Sequence, residues 1–245
     1  MVPEKKISDF VSRLQAAAGE NLESVILFGS AVAGDFHPEF SNLNFFCVVR
    51  DSSFAALQAL APAVKWWSER KQPPPLVMTL DEIKRSTDVF AIEFLDMQQH
   101  HRVVFGKEVL PGLSIPANLH RAQVEYELRE KLAVLRQHVL LANDNDSRLW
   151  DLLTRSVSSF VTLFRHVLIV LGHDAPAGKR AAVQALSTHV QFDSLSFMQV
   201  LDVREQKTDR RKFGVKDVFS RYLLALEQVA TAVDRMLDSG PVNPA

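Results

Sequence analysis

The chain has 245 residues, 47% of them hydrophobic and 23% charged, with 28 Lys and Arg against 29 Asp and Glu. That length supports one large domain or two small ones, each with its own core, and the composition excludes disorder. A net charge of −1 excludes a chain-wide basic footprint for nucleic acid, and the lone Cys47, set in an apolar run, excludes an internal disulfide.

A buried thiol in a reducing compartment is the expectation for Cys47. The charges of Glu4, Lys5 and Lys6 are followed by no apolar stretch of the secretory type. The apolar stretch at 161–172 is interrupted by Arg165 and His166 and falls short of a bilayer span. A cytoplasmic protein with no membrane partner is expected.

In chain order, Ile7, Phe10, Val11 and Leu14 recur at helical spacing and predict an amphipathic helix over 6–18, ended by Gly19-Glu20-Asn21. The continuous apolar run at 25–28 predicts a strand buried on both faces. Residues 29–34 form a turn with a helical piece, and 44–49, rich in Phe and Val, a second strand. Phe54, Leu57, Ala61 and Val64 mark a second helix ending near Trp67. Three prolines at 73–75 then stiffen the entry to a third strand at 76–79. Residues 81–110 are mixed, with an acidic-apolar segment at 88–96 and a strand at 102–105.

After Pro111-Gly112 and Pro116 the pattern turns helical. Leu128, Leu132, Leu135 and Val139 mark one helix, 149–171 another, and Val183, Leu186 and Val190 a third. A long last one runs through Val218, Tyr222, Leu226, Val229 and Val233 to a stop at Gly240-Pro241. Breaks fall at 143–147 and 172–178. The expected fold is α+β: a first domain at 1–112 with a small mixed sheet, then an all-α helical bundle at 117–240.

One constellation carries chemistry. Gly29-Ser30 follows the first strand, and about ten residues later Ser41-Asn42-Leu43-Asn44 opens the second. This spacing, with an apolar strand on each side and a helical tail, resembles the DNA polymerase β-type nucleotidyltransferase superfamily. The helical half is similar to the C-terminal bundles of its bacterial members, including aminoglycoside nucleotidyltransferase-like proteins. The family pattern is Gly-Ser, a gap, then Asp-x-Asp leading into a strand.

The physical logic of that pattern is direct. Gly29 lacks a Cβ, so backbone can approach a phosphate, and Ser30 offers a hydroxyl and an N–H near an expected helix start. Residues 42 and 44 share one face of an extended chain. The resemblance implies two carboxylates there, holding divalent metal against a triphosphate, with a third on a neighbouring strand. This chain instead has Asn42 and Asn44, which keep a carbonyl ligand but remove two negative charges that Mg²⁺ needs. The third-strand candidate, 76–79, holds no carboxylate, and Asp81 and Glu82 lie beyond it at a helix start. Gly29, Ser30 and Ser41 are the expected nucleotide-binding residues. No metal-binding residue is expected at the degenerate positions Asn42 and Asn44, and none is singled out as catalytic.

Other clusters read as structure. Asp35, His37 and Glu39 sit in the loop between turn and strand, where a solvated loop outweighs a metal site. His100, His101 and Arg102 could meet phosphate or metal, but adjacent residues do not face one way, so a shared ligand role is not expected. Asp88, Glu93 and Asp96 are expected to contact the helical half. The spacing of a HEPN-type ribonuclease motif is absent, since Arg129 to His138 and Arg180 to His189 each leave eight residues between. The basic stretch 204–216 is interleaved with Asp202, Glu205 and Asp209 and reads as a solvated loop rather than a polynucleotide wall. Arg155 and Arg165 are placed on one helix facing nearly the same way.

Three functional readings follow. The leading one is a catalytically impaired nucleotidyltransferase-like protein that binds a nucleoside triphosphate or serves as a regulatory scaffold. The second is an active enzyme moving a nucleoside monophosphate to a small-molecule or protein hydroxyl, with Mg²⁺ held by Asp35, Glu39 or Asp81. The third is an interaction module whose bundle supports a homodimer or docks a protein partner.

Overall fold

The computed structural model describes residues 2–34, 36–37 and 40–238, with side chains to 235. It divides into two compact units, Met1–Leu119 and His120–Ala245.

In the first unit the elements are α1 (Glu4–Ala18), β1 (Leu22–Phe28), β2 (Asn44–Val49), α2 (Phe54–Ser68), β3 (Leu76–Thr79), α3 (Leu80–Arg85), α4 (Ala91–Gln99) and β4 (His101–Gly106). The four strands form one mixed sheet in the order β3-β2-β1-β4. β1 runs antiparallel to both neighbours, while β2 and β3 are parallel and joined through α2.

Strand alternation builds a core on each face of this sheet. Val25, Leu27, Phe45 and Cys47 point to the side covered by α1 and α2, where they meet Phe10, Leu14 and Trp67. Phe10 stacks on Trp67 at 4.2 Å and meets the edge of Phe45 at 5.2 Å. Ile26, Phe46, Val48 and Met78 point to the other side, under Ile83, Phe94 and Met97 of α3 and α4. Double coverage explains why β1 and β2 read as continuous apolar runs. Cys47 is fully buried, and desolvation pushes its thiol up to about 12, so it is an inert packing group.

The mixed segment after β3 resolves into two helices. Thr79 caps α3 in a capping box: its side chain accepts from the Glu82 N–H, and the Glu82 carboxylate accepts from the Thr79 N–H at 2.6 Å. α4 then runs almost directly into β4.

The second unit contains α5 (Ala117–Ala142, beginning just before it), α6 (Asp146–Val170), α7 (Lys179–Ser187), α8 (Ser194–Arg204) and α9 (Val215–Asp238). α6 packs against α7, α8 and α9. Phe160, Phe164, Phe197 and Tyr222 form its aromatic centre, with Phe197 and Tyr222 at 4.4 Å. α6 is long and apolar enough by composition to cross a membrane, and 56% of its apolar window is buried in the protein.

The third helix of the bundle ends before Val190, and α8 was not foreshadowed by the periodicity. Arg155 is exposed and Arg165 buried, contrary to the expectation that they face the same way. Ten residues at 3.6 per turn leave them about 80° apart, enough to separate a solvent face from a core face. In the basic stretch, Lys207 pairs with Glu205 at 2.7 Å, and Arg210, Arg211 and Lys212 are exposed in a short 3₁₀ turn. The expected stop at Gly240-Pro241 lies outside the described residues.

Candidate active site

The site is built at one end of the sheet, where β1 finishes and β2 and β4 begin. Phe28, the last residue of β1, pairs with Asn44 on one side and with His101 on the other. Directly opposed residues in antiparallel strands share a face. Asn44, Phe28 and His101 therefore form one row, on the face that Ile26, Phe46 and Val48 line farther in.

Beyond Phe28 the chain turns at Gly29, whose φ of +77° lies in the left-handed region. Its carbonyl accepts the N–H groups of Val32 and Ala33, both at 3.0 Å. The helical piece expected here is a single 3₁₀ turn, Gly29–Ala31. It is too short for a helix dipole, so any anion affinity would rest on the turn's own N–H groups and the Ser30 hydroxyl. A Cβ on Gly29 would lie 3.1 Å from Asn44 Nδ2, so the amide sits directly against the turn. That contact joins two of the residues singled out in the sequence.

The others are placed differently. Ser41 closes its own loop: its hydroxyl accepts the His37 N–H at 2.9 Å, and its N–H donates to the His37 carbonyl at 2.8 Å. Asn42 is exposed, and Leu43 is buried among the α1 and α2 side of the core. The Leu43 N–H donates to Gln72 Oε1 at 2.8 Å, which ties the segment before β2 to the segment before β3. Asp35 and Glu39 lie outside the described residues.

Among the described residues, the donors at this end of the sheet are not a set that suits a divalent cation. Positions 42 and 44 are neutral amides. Phe46 pairs with Leu76, the first residue of β3, and neither β3 nor residues 72–75 before it hold a carboxylate. Thr79 pairs with Val49 at the far end of β2. Asp81 and Glu82 thus start about 16 Å of strand away from Asn44. Glu82 is occupied by its cap and by the Ser52 hydroxyl, which hold its carboxyl below the usual range. Among the described residues no group of three or more His, Cys, Asp or Glu is placed to hold a metal ion.

Sequence reading missed Glu108, the partner of His101 at the β4 end of the row. His101 Nε2 lies 2.8 Å from Glu108 Oε2, and Glu108 Oε1 accepts the N–H groups of Val109 and Leu110. Partial burial alone would raise the Glu108 carboxyl, but the hydrogen bonds from His101 and the two N–H groups outweigh it and lower it. The loop carrying Glu108 is fastened to α4 by Gln98, which donates to the carbonyls of Leu110 and Leu113. Nothing local in the sequence announced Glu108, because its partner is seven residues away across a turn.

Residues 4–101 match the family described as nucleotidyltransferase domain. The N-terminal unit therefore contains a nucleotidyltransferase domain of the polymerase β type. Among solved structures, the chain is similar to spectinomycin adenyltransferase AAD(9) from Enterococcus faecialis, determined with ATP and spectinomycin. The TM-score is 0.54 at 15% identity, and the match covers 96% of this chain and 99% of that one. At that identity the likeness establishes the shared fold. No curated protein matches the sequence.

Proposed function

We propose that this chain is a nucleotidyltransferase-like protein that binds a nucleoside triphosphate at the Gly29–Ser30 turn without using the metal-dependent chemistry of the family. The observation that carries the reading is the Gly29–Asn44 contact: the turn is kept, and an amide stands where the family pattern has a carboxylate. Two carboxylates hold Mg²⁺ through charge, and neutral carbonyls supply far less of it. Gly29 and Ser30 supply backbone N–H groups and a hydroxyl to phosphate oxygens, and those groups need no metal to act. Retained binding with impaired transfer fits a regulatory or sensing role.

Calorimetric titration of ATP into the purified protein, in EDTA and in excess Mg²⁺, tests this. Binding of similar strength in both is expected. Binding that appears only with Mg²⁺, or steady Mg²⁺-dependent release of pyrophosphate, would overturn it.

The active-enzyme reading is favoured by the family match over 4–101 and by the neighbour's crystallisation with ATP and spectinomycin. It needs replacement ligands. Asp81 is displaced to the far end of β2, which leaves Asp35 and Glu39 to supply them, and Asp35→Asn with Glu39→Gln would then abolish pyrophosphate release.

A further inference from the structure

We propose that His101, held by Glu108, is a phosphate-binding residue of the same site, presenting a ring nitrogen from β4 on the face that carries the neutral Asn44 amide of β2. The inference rests on the nucleotide-binding reading above and adds a residue to it. Three observations carry it. First, Phe28 pairs with both Asn44 and His101, so His101 shares their face at the end of the sheet that bears the Gly29–Ser30 turn. Two strand spacings separate Asn44 from His101, roughly 10 Å, a span that a triphosphate can bridge across the turn.

Second, the pair is built rather than incidental. The His101 side chain is only 14% exposed, its Nε2 is 2.8 Å from the Glu108 carboxylate, and the other carboxylate oxygen is fixed by two backbone N–H groups. Gln98 holds the loop that presents Glu108. An Nε2–H donated to Glu108 fixes the ring's orientation and leaves Nδ1 as the second polar atom, a donor to a phosphate oxygen when the ring is protonated.

Third, the neighbouring cation is committed elsewhere. Arg102, the next residue, pairs with Leu27 and so faces the opposite side of the sheet, where it makes a two-pronged bond to Glu4 at 2.9 and 3.1 Å. Of the two basic side chains that open β4, the register therefore turns only His101 toward the site face. In this assignment His101 is a binding residue, and Glu108 is a positioning residue acting through it.

The test is titration of ATP, tripolyphosphate and adenosine, all in EDTA, into the full-length protein and its His101→Gln and Glu108→Gln variants. The expected result is about a tenfold or greater loss for ATP and tripolyphosphate in His101→Gln, the scale of one charge-assisted hydrogen bond, with adenosine unchanged. In Glu108→Gln a smaller loss is expected, together with a shift of the His101 ring ¹⁵N signals that reports loss of the fixed orientation. Equal weakening of adenosine and ATP would mark His101 as structural and overturn the inference. Unchanged ATP affinity in His101→Gln, beside clear binding by the unaltered protein, would overturn this inference and leave the nucleotide reading standing. Absence of ATP binding by the unaltered protein would overturn both. Thermal unfolding of each variant separates loss of binding from loss of fold.

Discussion

The two ends of β1 are governed by opposite constraints. Near its start, Gly106 of β4 approaches so closely that a Cβ there would lie 1.9 Å from the Glu23 carbonyl oxygen, with φ at +79°. Ser24 is fully buried beside it, and its hydroxyl contacts the carbonyls of Phe105 and Lys107 at 3.2 and 2.7 Å. At its finish, Gly29 has a similar φ of +77°, but the nearest atom to an added Cβ is a side-chain amide at 3.1 Å, in a half-exposed turn. Both glycines are conformationally required. The first is required because backbone fills the space against it, the second while leaving its surroundings open. One end of the strand is closed by backbone packing, and the other is left partly open at the surface.

Substitution at the closed end should give the largest change. Gly106→Ala combines a left-handed backbone with a collision against main chain that cannot rotate away. It is expected to cost roughly 3 kcal/mol or more, read from the midpoint of urea unfolding. An effect below that of Gly29→Ala would break the comparison. Ser24→Ala should follow at about 1–2 kcal/mol, because a buried hydroxyl loses its hydrogen bonding to β4.

At the open end, Gly29→Ala should cost only about 1 kcal/mol in unfolding free energy, since the Asn44 amide can swing aside. Its larger effect should be on ATP titration, where a methyl group and a displaced turn weaken phosphate approach. Stability and binding would thus separate at Gly29 and not at Gly106. The paired change Asn42→Asp with Asn44→Asp tests the same end in the other direction. It should alter stability by under about 0.5 kcal/mol and make ATP binding strengthen on addition of Mg²⁺. No Mg²⁺ response would show that two charges are not enough, in keeping with the absence of a carboxylate from 76–79.

A further small effect is acid-dependent. Glu108 has a folded-state pKa below its ordinary 4.5, so its pairing stabilises the fold above that value and is lost as pH falls through the folded one. The stability difference between the unaltered protein and Glu108→Gln should therefore shrink on acidification from pH 6 toward pH 3. With the carboxylate side chain 42% exposed, solvent screening keeps the difference under about 1 kcal/mol.

Much of the fold was legible because its signals are local. The period of Ile7, Phe10, Val11 and Leu14 gave α1, the apolar runs gave β1 and β2, and Gly29 and Asn44 proved to be neighbours at the end of the sheet. Residues 81–110 were not legible. There a six-residue helix held by a capping box, a nine-residue helix and a strand follow one another too quickly for any period to establish itself. The helix start expected at Gly29 proved to be one 3₁₀ turn, because a short turn and a longer helix begin with the same residues.

By itself the sequence determined which residues could serve as ligands: amides at 42 and 44, no carboxylate within 76–79, and a Gly-Ser turn free of side-chain bulk. Those are properties of composition and order, fixed before folding. Strand order and register determined which of them meet. Pairing Phe28 with both Asn44 and His101 placed residues 57 positions apart in one row, and pairing Thr79 with Val49 carried Asp81 and Glu82 away from it. Register is set by burial of alternate side chains on two covered faces, a long-range condition that no local stretch of this chain contains.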